Sequence, residues 1–499
     1  MAPGNGLDQV PTFTKARTIM CASFCNLMIG SYYFFSNINS YVAAYLRQYD
    51  PSVSSKDTLL IMPLWIIFQS AGTIVSTRLV NKYGGANVSN FSYLVFALCN
   101  LAMVWNTNYW LFVLVYGVIT GFSIGVGYMP SLVIAWTYFP DQKSIVTGVC
   151  LFSAGISASI LSPSSTAIVN PTNVIQYETD PNVYNRVPLL FFCMFVFFGG
   201  LNLMMFLLQP QPFQTETKKE TETKELETFN ARPKNPLIKG AYEDSDDENY
   251  GTPSKKKKGG QANKVAEAPR KEATNPSPAI TKSGCPSLQV ALRSKHFYML
   301  AYMAYSCSIY NYFMNSVWKG FYQTKIVVGD SQMALILSYG AMANSVVRVA
   351  SGFILMKHDF KVIFIPLAVS TIVSCFTIHH FLTSYAMGVI YSMTVFGGIG
   401  IQVTIFPTVC NKTFGQELGP AVFPFVFSCF SLANMTQFFL LKLTDSWALM
   451  FNLYGAIAIS SLVVGYYFNT GPNWDNERHE WEAHLAQEEG KNTQKLIGE

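Results

Sequence analysis

Gly121-Phe-Ser-Ile-Gly125-Val-Gly127-Tyr128-Met-Pro130 opens a stretch that ends on Trp136-Thr-Tyr-Phe139-Pro140-Asp141-Gln-Lys143. Its first part belongs to an apolar run over about 109–137, long enough as a helix to cross the roughly 30 Å hydrocarbon layer of a bilayer. Glycines at these spacings strip one helix face of side chains, so a second helix can approach closely and bend around a central cavity. Singly, each glycine reads more simply as packing. Working outward, runs of the same kind lie at about 17–46, 58–80, 87–106, 144–168 and 187–208, then at 296–318, 331–356, 361–379, 383–410, 419–441 and 446–468. Two groups of six predict an all-α integral membrane protein with 12 transmembrane helices in two six-helix bundles. Strands of a membrane barrel are about 10 residues of alternating pattern, half of what these runs offer.

Charge supports the same reading. Of the 499 residues 50% are apolar and 13% charged, against about 25% charged in soluble domains. Of the 63 charges, 28 fall between Gln209 and His296 and ten after Asn469. The remaining 25 cannot dress a water-exposed surface of 381 residues. With a net charge of +5, the chain is neither a basic nucleic-acid binder nor an acidic disordered protein, so the expected partner is the lipid bilayer and no nucleic acid.

The chain divides into a tail 1–16, a first bundle 17–208, a charged disordered linker 209–295, a second bundle 296–469 and a tail 470–499. Ten basic residues near helix ends on one side, against six on the other, place both termini and the linker in the cytosol. The membrane is then the plasma membrane or an endomembrane. Within the linker, Glu243-Asp-Ser245-Asp-Asp-Glu248 makes Ser245 a candidate for an acid-directed kinase, and Lys255–Lys258 could touch anionic lipid. The plainer reading is a solvated tether. The first run is too long and too rich in Tyr, Phe and Asn for a signal peptide. Nine of ten cysteines lie in or beside the runs and read as small buried hydrophobes. No metal or other cofactor is expected, and without a P-loop, nucleophile elbow or ligand cluster neither is an enzyme.

Between the second and third runs, Thr77-Arg78-Leu-Val-Asn81-Lys82-Tyr-Gly84 resembles the Gly-x-Leu-x-Asp-Arg-x-Gly motif of major facilitator transporters. The second half answers with Gly352-Phe-Ile-Leu-Met356-Lys357-His-Asp-Phe-Lys361, which keeps the leading glycine and the bases. In that family this turn gates bundle closure, which implies gating roles for Arg78, Asn81, Lys82, Gly84, Gly352 and Lys357, with Lys143 on the next such loop. The opening stretch is similar to the oxalate:formate antiporter branch, whose pattern is Gly-x-Gly-x-x-Tyr and then Trp-Phe-Pro-Asp-x-Arg-Gly. Here Tyr138 takes the Trp place and Lys143-Ser144 that of Arg-Gly. The tenth run repeats the theme with Gly397-Gly398, Phe406-Pro407-Thr408 and Phe414-Gly415, and Gly30-x-x-Tyr33-x-Phe-Ser36 in the first is also similar to monocarboxylate transporters. The resemblance implies the major facilitator fold and transport by alternating access.

An ionisable residue deep in a span is costly and is a functional hypothesis by default. Arg348 is the clear case, midway along the eighth run with no acid in any span to pair with it, whereas Lys56, Lys319 and Lys442 near run ends can snorkel. A guanidinium fork in a dry cavity matches a carboxylate bidentately, so a substrate anion could supply the missing partner. The alternative is satisfaction by backbone carbonyls or water. Both resembled groups carry a substrate-anion Arg in the eighth span with Gly four residues later, as in Arg348-Val-Ala-Ser-Gly352. Where monocarboxylate transporters have an Asp four before that Arg and a Lys in the first span, this chain has Asn344 and Asn37. The second cation of the antiporters' eleventh span is missing between Phe423 and Asn434.

These departures point to a monoanionic substrate carried by uniport or exchange rather than by strict proton symport. Tyr33, Asn37, Tyr128, Tyr310, Asn311, Asn315 and Gln402 are the polar residues expected to complete the binding site. Two alternatives compete with organic-anion transport: a facilitator of a neutral or zwitterionic solute, with Arg348 structural, and a non-transporting receptor or scaffold.

Overall fold

The structure is a computed structural model that describes residues 10–175, 180–210, 285–415 and 418–481, without the side chains of Asp141, Lys143 and Ser144. The first half contains α1 (Thr12–Ile29), α2 (Ser31–Arg47), the single turn α3 (Ser55–Thr58), α4 (Ile61–Tyr83), α5 (Gly85–Ala102), α6 (Tyr109–Phe112), α7 (Thr120–Tyr138), α8 (Lys143–Val169), the turn α9 (Pro181–Tyr184) and α10 (Val187–Leu208). The second half contains α11 (Leu288–Arg293), α12 (Lys295–Gln323), α13 (Asp330–Lys357), α14 (Lys361–Phe381), α15 (Tyr385–Phe414), α16 (Gly419–Leu443) and α17 (Trp447–Tyr467). Among the described residues ten helical spans are long and apolar enough to cross a membrane. The polar Asn, Ser and Tyr content of α5 and α12 keeps those two out of that set, and they complete the twelve. The first run is one span in two pieces, α1 and α2, that meet at Gly30.

Local chemistry sets the helix starts. Ser294, Ser384 and Ser446 each accept a hydrogen bond from the first-turn N–H three residues on, which caps α12, α15 and α17. Outward-facing Phe91, Leu203, Phe206, Val362, Ile390 and Leu432 are more than half exposed. Such a continuous apolar surface is tolerable only against lipid.

The stretch quoted first packs α7 on α4. A Cβ at Gly121 would stand 2.5 Å from the Trp65 carbonyl oxygen, and one at Gly125 only 2.1 Å from that of Gln69. Just before it, residues 113–119 form a π-helical stretch, whose wider turn is joined to α7 by the Thr120 hydroxyl donating to the Val115 carbonyl (2.9 Å).

The two halves meet along α8 and α13. A Cβ on Gly155 would lie 2.2 Å from Ser345 Oγ and 2.5 Å from the Ala341 oxygen. Around that contact Ser159 and Ser338 share a hydroxyl bond of 2.9 Å, and Ser345 donates to the Phe152 carbonyl (2.8 Å). Ser70 and Ser431 repeat this between α4 and α16 (2.8 Å). Helices in lipid have no hydrophobic drive to associate, so small residues and interhelical hydrogen bonds of about 0.6 kcal/mol each hold such seams. Seams this weak can part.

Part of the segment expected to be unfolded is folded. Ser287 caps α11, and the Cys285 N–H donates to the Phe414 carbonyl (3.1 Å), where burial pushes its thiol up to about 11. The linker expected over 209–295 therefore gives way to structure before its end. Residues 211–284, including Ser245, lie outside the described residues. Trp474 donates from Nε1 to the Thr413 carbonyl (2.8 Å) and so packs the C-terminal segment against the end of α15.

Candidate functional site

Arg348 projects from α13 into the seam between the halves and is 2% exposed. Every branch of its guanidinium is engaged. Nε donates to Asn344 Oδ1 one turn back (2.8 Å), Nη1 to the Leu151 carbonyl of α8 (3.2 Å) and Nη2 to the Tyr33 hydroxyl of α2 (2.9 Å). Asn344 is itself fixed, because its Nδ2 donates to the Phe396 carbonyl (2.7 Å). All three acceptors are neutral, and no carboxylate pairs with Arg348 among the described residues. Backbone and side-chain oxygens thus satisfy its hydrogen bonds, and no charge among the described residues pairs with it.

Beside it lies a cavity of about 30 Å³ lined by residues of both halves, room for about two waters. Tyr33, Tyr128 and Arg348 reach it from the expected set. Tyr32, Gln69 and Tyr312 reach it as well and were not expected. A single amide or phenol in an apolar run carries little signal on its own, although Gln69 is the sole amide of its run. The other expected polar residues lie elsewhere. Gln402 accepts from Ser308 (3.0 Å) and donates to the Cys307 carbonyl (2.9 Å) inside the second half, and Asn311 donates to the same carbonyl (3.3 Å). Tyr310 pairs with Ser374 (2.6 Å). Asn315 is fully buried, and neither end of its amide has a partner at hydrogen-bond geometry among the described residues. Asn37 binds Thr166 Oγ1 (3.0 Å) and the Ser162 carbonyl (3.3 Å).

A second charged centre stands toward the end of the bundles opposite the linker. Lys319, expected to snorkel, is instead 4% exposed and ion-paired with Asp330 at 2.7 Å. Asp330 opens α13, one residue before the expected run at 331–356. Both charges belong to the second half, and the first half clasps them. Tyr41 donates its hydroxyl to Asp330, Asn170 donates to the same carboxylate (2.8 Å), and the Asn37 carbonyl accepts from Lys319 (3.2 Å). The ammonium also lies 4.4 Å from the centre of the Tyr41 ring. Further out, Lys442 pairs with Asp57 and Lys56 with Asp445, each pair joining the two halves. A cavity of about 180 Å³ lies beside these groups, lined in part by Asn39, Lys56 and Lys319.

At the linker end the expected gating residues make no comparable lock. Arg78, Asn81, Lys82 and Lys357 are exposed and form no ion pair among the described residues, and Lys82 lies over the Tyr83 ring (5.0 Å). Gly84 ends α4 at φ +82°, a conformation that favours glycine, and Gly352 is buried. The Lys143 side chain lies outside the described residues. No group of three or more metal-ligating side chains occurs among the described residues.

Two helical halves joined by weak seams, with a buried cation and a small cavity between them, define a membrane transporter rather than an enzyme. The Major Facilitator Superfamily profile matches residues 19–438, and the chain belongs to that family. The D-xylose-proton symporter shares the fold, with a TM-score of 0.63 over 92% of this chain and 98% of that one, at 10% identity. Two curated relatives from Toxoplasma gondii are similar in sequence. Apicoplast pyruvate carrier 2 is 26% identical over 256 residues, 41% of this chain and 39% of that protein. Apicoplast pyruvate carrier 1 is 37% identical over 67 residues, 13% of this chain and 12% of that protein. The chain thus aligns with well under half the length of either.

Proposed function

We propose that this multi-pass protein carries a small organic monoanion, a monocarboxylate, across its membrane by alternating access of the two halves, as a uniporter or exchanger. The observation that carries the proposal is Arg348, a buried cation with neutral partners only, beside a cavity shared by both halves. A carboxylate would take the Nη1/Nη2 edge bidentately in place of the Leu151 carbonyl and Tyr33, while Asn344 continues to hold Nε. Because Leu151 and Tyr33 belong to the first half and Arg348 to the second, that exchange of partners would loosen the grip of one half on the other. The cavity holds only about two waters in this state, so the halves must part to admit substrate. The likeness to two pyruvate carriers supports the same substrate class. The linker face is proposed to be cytosolic, from the bias of basic residues.

Uptake of radiolabelled monocarboxylates into proteoliposomes tests this. Removing one partner of a buried charge pair costs about 2–5 kcal/mol, so Arg348→Gln is expected to lower kcat/KM at least about 30-fold. Arg348→Lys, which keeps the charge but loses the fork, is expected to fall in the same direction. Intact uptake in both variants would overturn the proposal.

A further inference from the structure

Resting on the anion site just proposed, we infer that Gln69 binds the oxygen next to the substrate's carboxylate, which makes the carrier selective for 2-oxo and 2-hydroxy monocarboxylates over plain short-chain acids. Of the six polar side chains that line the central cavity, Arg348, Tyr33 and Tyr32 are already engaged, while the polar ends of Gln69, Tyr128 and Tyr312 make no hydrogen bond among the described residues. Tyr33 accepts from Arg348, and Tyr32 accepts from Asn434 Nδ2 (2.7 Å). Gln69 is 5% exposed, lines the cavity, and its side-chain amide makes no hydrogen bond among the described residues. Its amide opens on the cavity, where a polar atom of a substrate can reach it. Other buried amides lie away from the cavity: Asn100 Nδ2 donates to the Phe96 carbonyl (2.9 Å), and Asn315, whose amide makes no hydrogen bond among the described residues, does not line it.

The backbone of Gln69 has little freedom to move away. Gly125 of α7 presses on its carbonyl so closely that a Cβ would overlap it at 2.1 Å. The glycine stretch that packs α7 on α4 thereby also fixes where this amide begins. Apart from Tyr128 and Tyr312, the remaining cavity wall is apolar, with Ile29, Ile66, Leu151, Val403 and Phe427, so it suits a substrate with one short hydrocarbon end and two adjacent polar carbons.

An amide fits both oxidation levels of the second oxygen. Its N–H donates to a ketone, and its carbonyl accepts from a hydroxyl. Gln69 stands on α4 of the first half and Arg348 on α13 of the second. A 2-oxo or 2-hydroxy acid held at both ends would therefore bridge the halves, which a plain carboxylic acid cannot do in the same way.

The test compares pyruvate, L-lactate and propionate, three acids of one chain length that differ in the 2-oxygen, in proteoliposomes of the full-length protein. In the unmodified carrier pyruvate and lactate are expected to show KM values about tenfold below that of propionate. Gln69→Met, which conserves volume, and Gln69→Leu are expected to raise KM for pyruvate and lactate about tenfold and to leave propionate within about twofold. Retained propionate uptake reports that the variants fold. Equal KM values for the three acids in the unmodified carrier, or equal losses for all three in the variants, would overturn the role of Gln69 and leave the Arg348 site standing. Absence of uptake of any monocarboxylate by the unmodified protein would overturn the anion site itself.

Discussion

Asp330→Asn isolates the charged cluster opposite the linker. In the present state Lys319 is buried, its counter-ion is Asp330, and the first half holds that carboxylate through Tyr41 and Asn170. Neutralising Asp330 preserves shape and leaves Asn Oδ1 to accept the same bonds, but removes the carboxylate counter-ion of a buried ammonium. Stranding one member of a buried pair costs about 3–5 kcal/mol. Once the halves part on this face water reaches Lys319, and the same loss falls to about 0–1 kcal/mol. The difference, about 3 kcal/mol, moves the balance toward the state open on this face by a factor of about 10². Asn39 lines the cavity there and is 6% exposed, so Asn39→Cys reports opening.

The assay is the rate of maleimide labelling in nanodiscs, with Cys193 and Cys429, the two cysteines that are not fully buried among the ten, replaced by Ser. Asp330→Asn is expected to raise the rate about 100-fold. Lys319→Met combined with Asp330→Leu removes both charges and is expected to return it toward the starting value, since an apolar pair substitutes for a buried ion pair at little or no cost. An unchanged rate in monodisperse Asp330→Asn protein would refute the reasoning, because the pair would then carry no weight in holding the halves together.

Gly155→Val places methyl groups where Ser345 Oγ and the Ala341 carbonyl already stand within 2.5 Å of a Cβ. Overpacking of this kind costs about 1–3 kcal/mol, and here it falls on the state in which α8 and α13 touch. Uptake is expected to drop about tenfold at normal expression, and wild-type uptake would show that the seam opens and closes without this contact. Asn344→Asp puts a carboxylate 2.8 Å from Arg348 Nε, in competition with the substrate anion. At neutral pH KM should rise. Lowering the pH far enough to protonate the introduced carboxyl removes the competitor, and KM should recover toward that of the unmodified protein. A pH profile parallel to that of the unmodified protein would contradict a direct claim of Arg348 on the anion.

How much of this was legible in the residues depends on where the physics is local. Bilayer thickness fixes the length of a span, so twelve apolar runs announced twelve helices, and the glycines at 121 and 125 announced a close neighbour. Arg348 stood out because a charge amid apolar residues needs a reason, and Asn344 followed from the resemblance to monocarboxylate transporters, which place an Asp one helical turn before that Arg. Lys319 and Asp330 did not stand out. Each sits at a helix end, where a charge normally reaches water, and only the tertiary fold shows that Tyr41, Asn37 and Asn170 close over them. The amides and phenols were the hardest to place, because lipid is as apolar as the bundle core and the pattern along a span does not say which face turns inward. Gln402 and Asn311 brace the second half from within, while Gln69, no more conspicuous in the sequence than either, faces the cavity. The residue types foretold a polar lining, but the helix rotations that choose among them are set by tight contacts such as Gly125 against Gln69, and those contacts exist only once two distant runs have met.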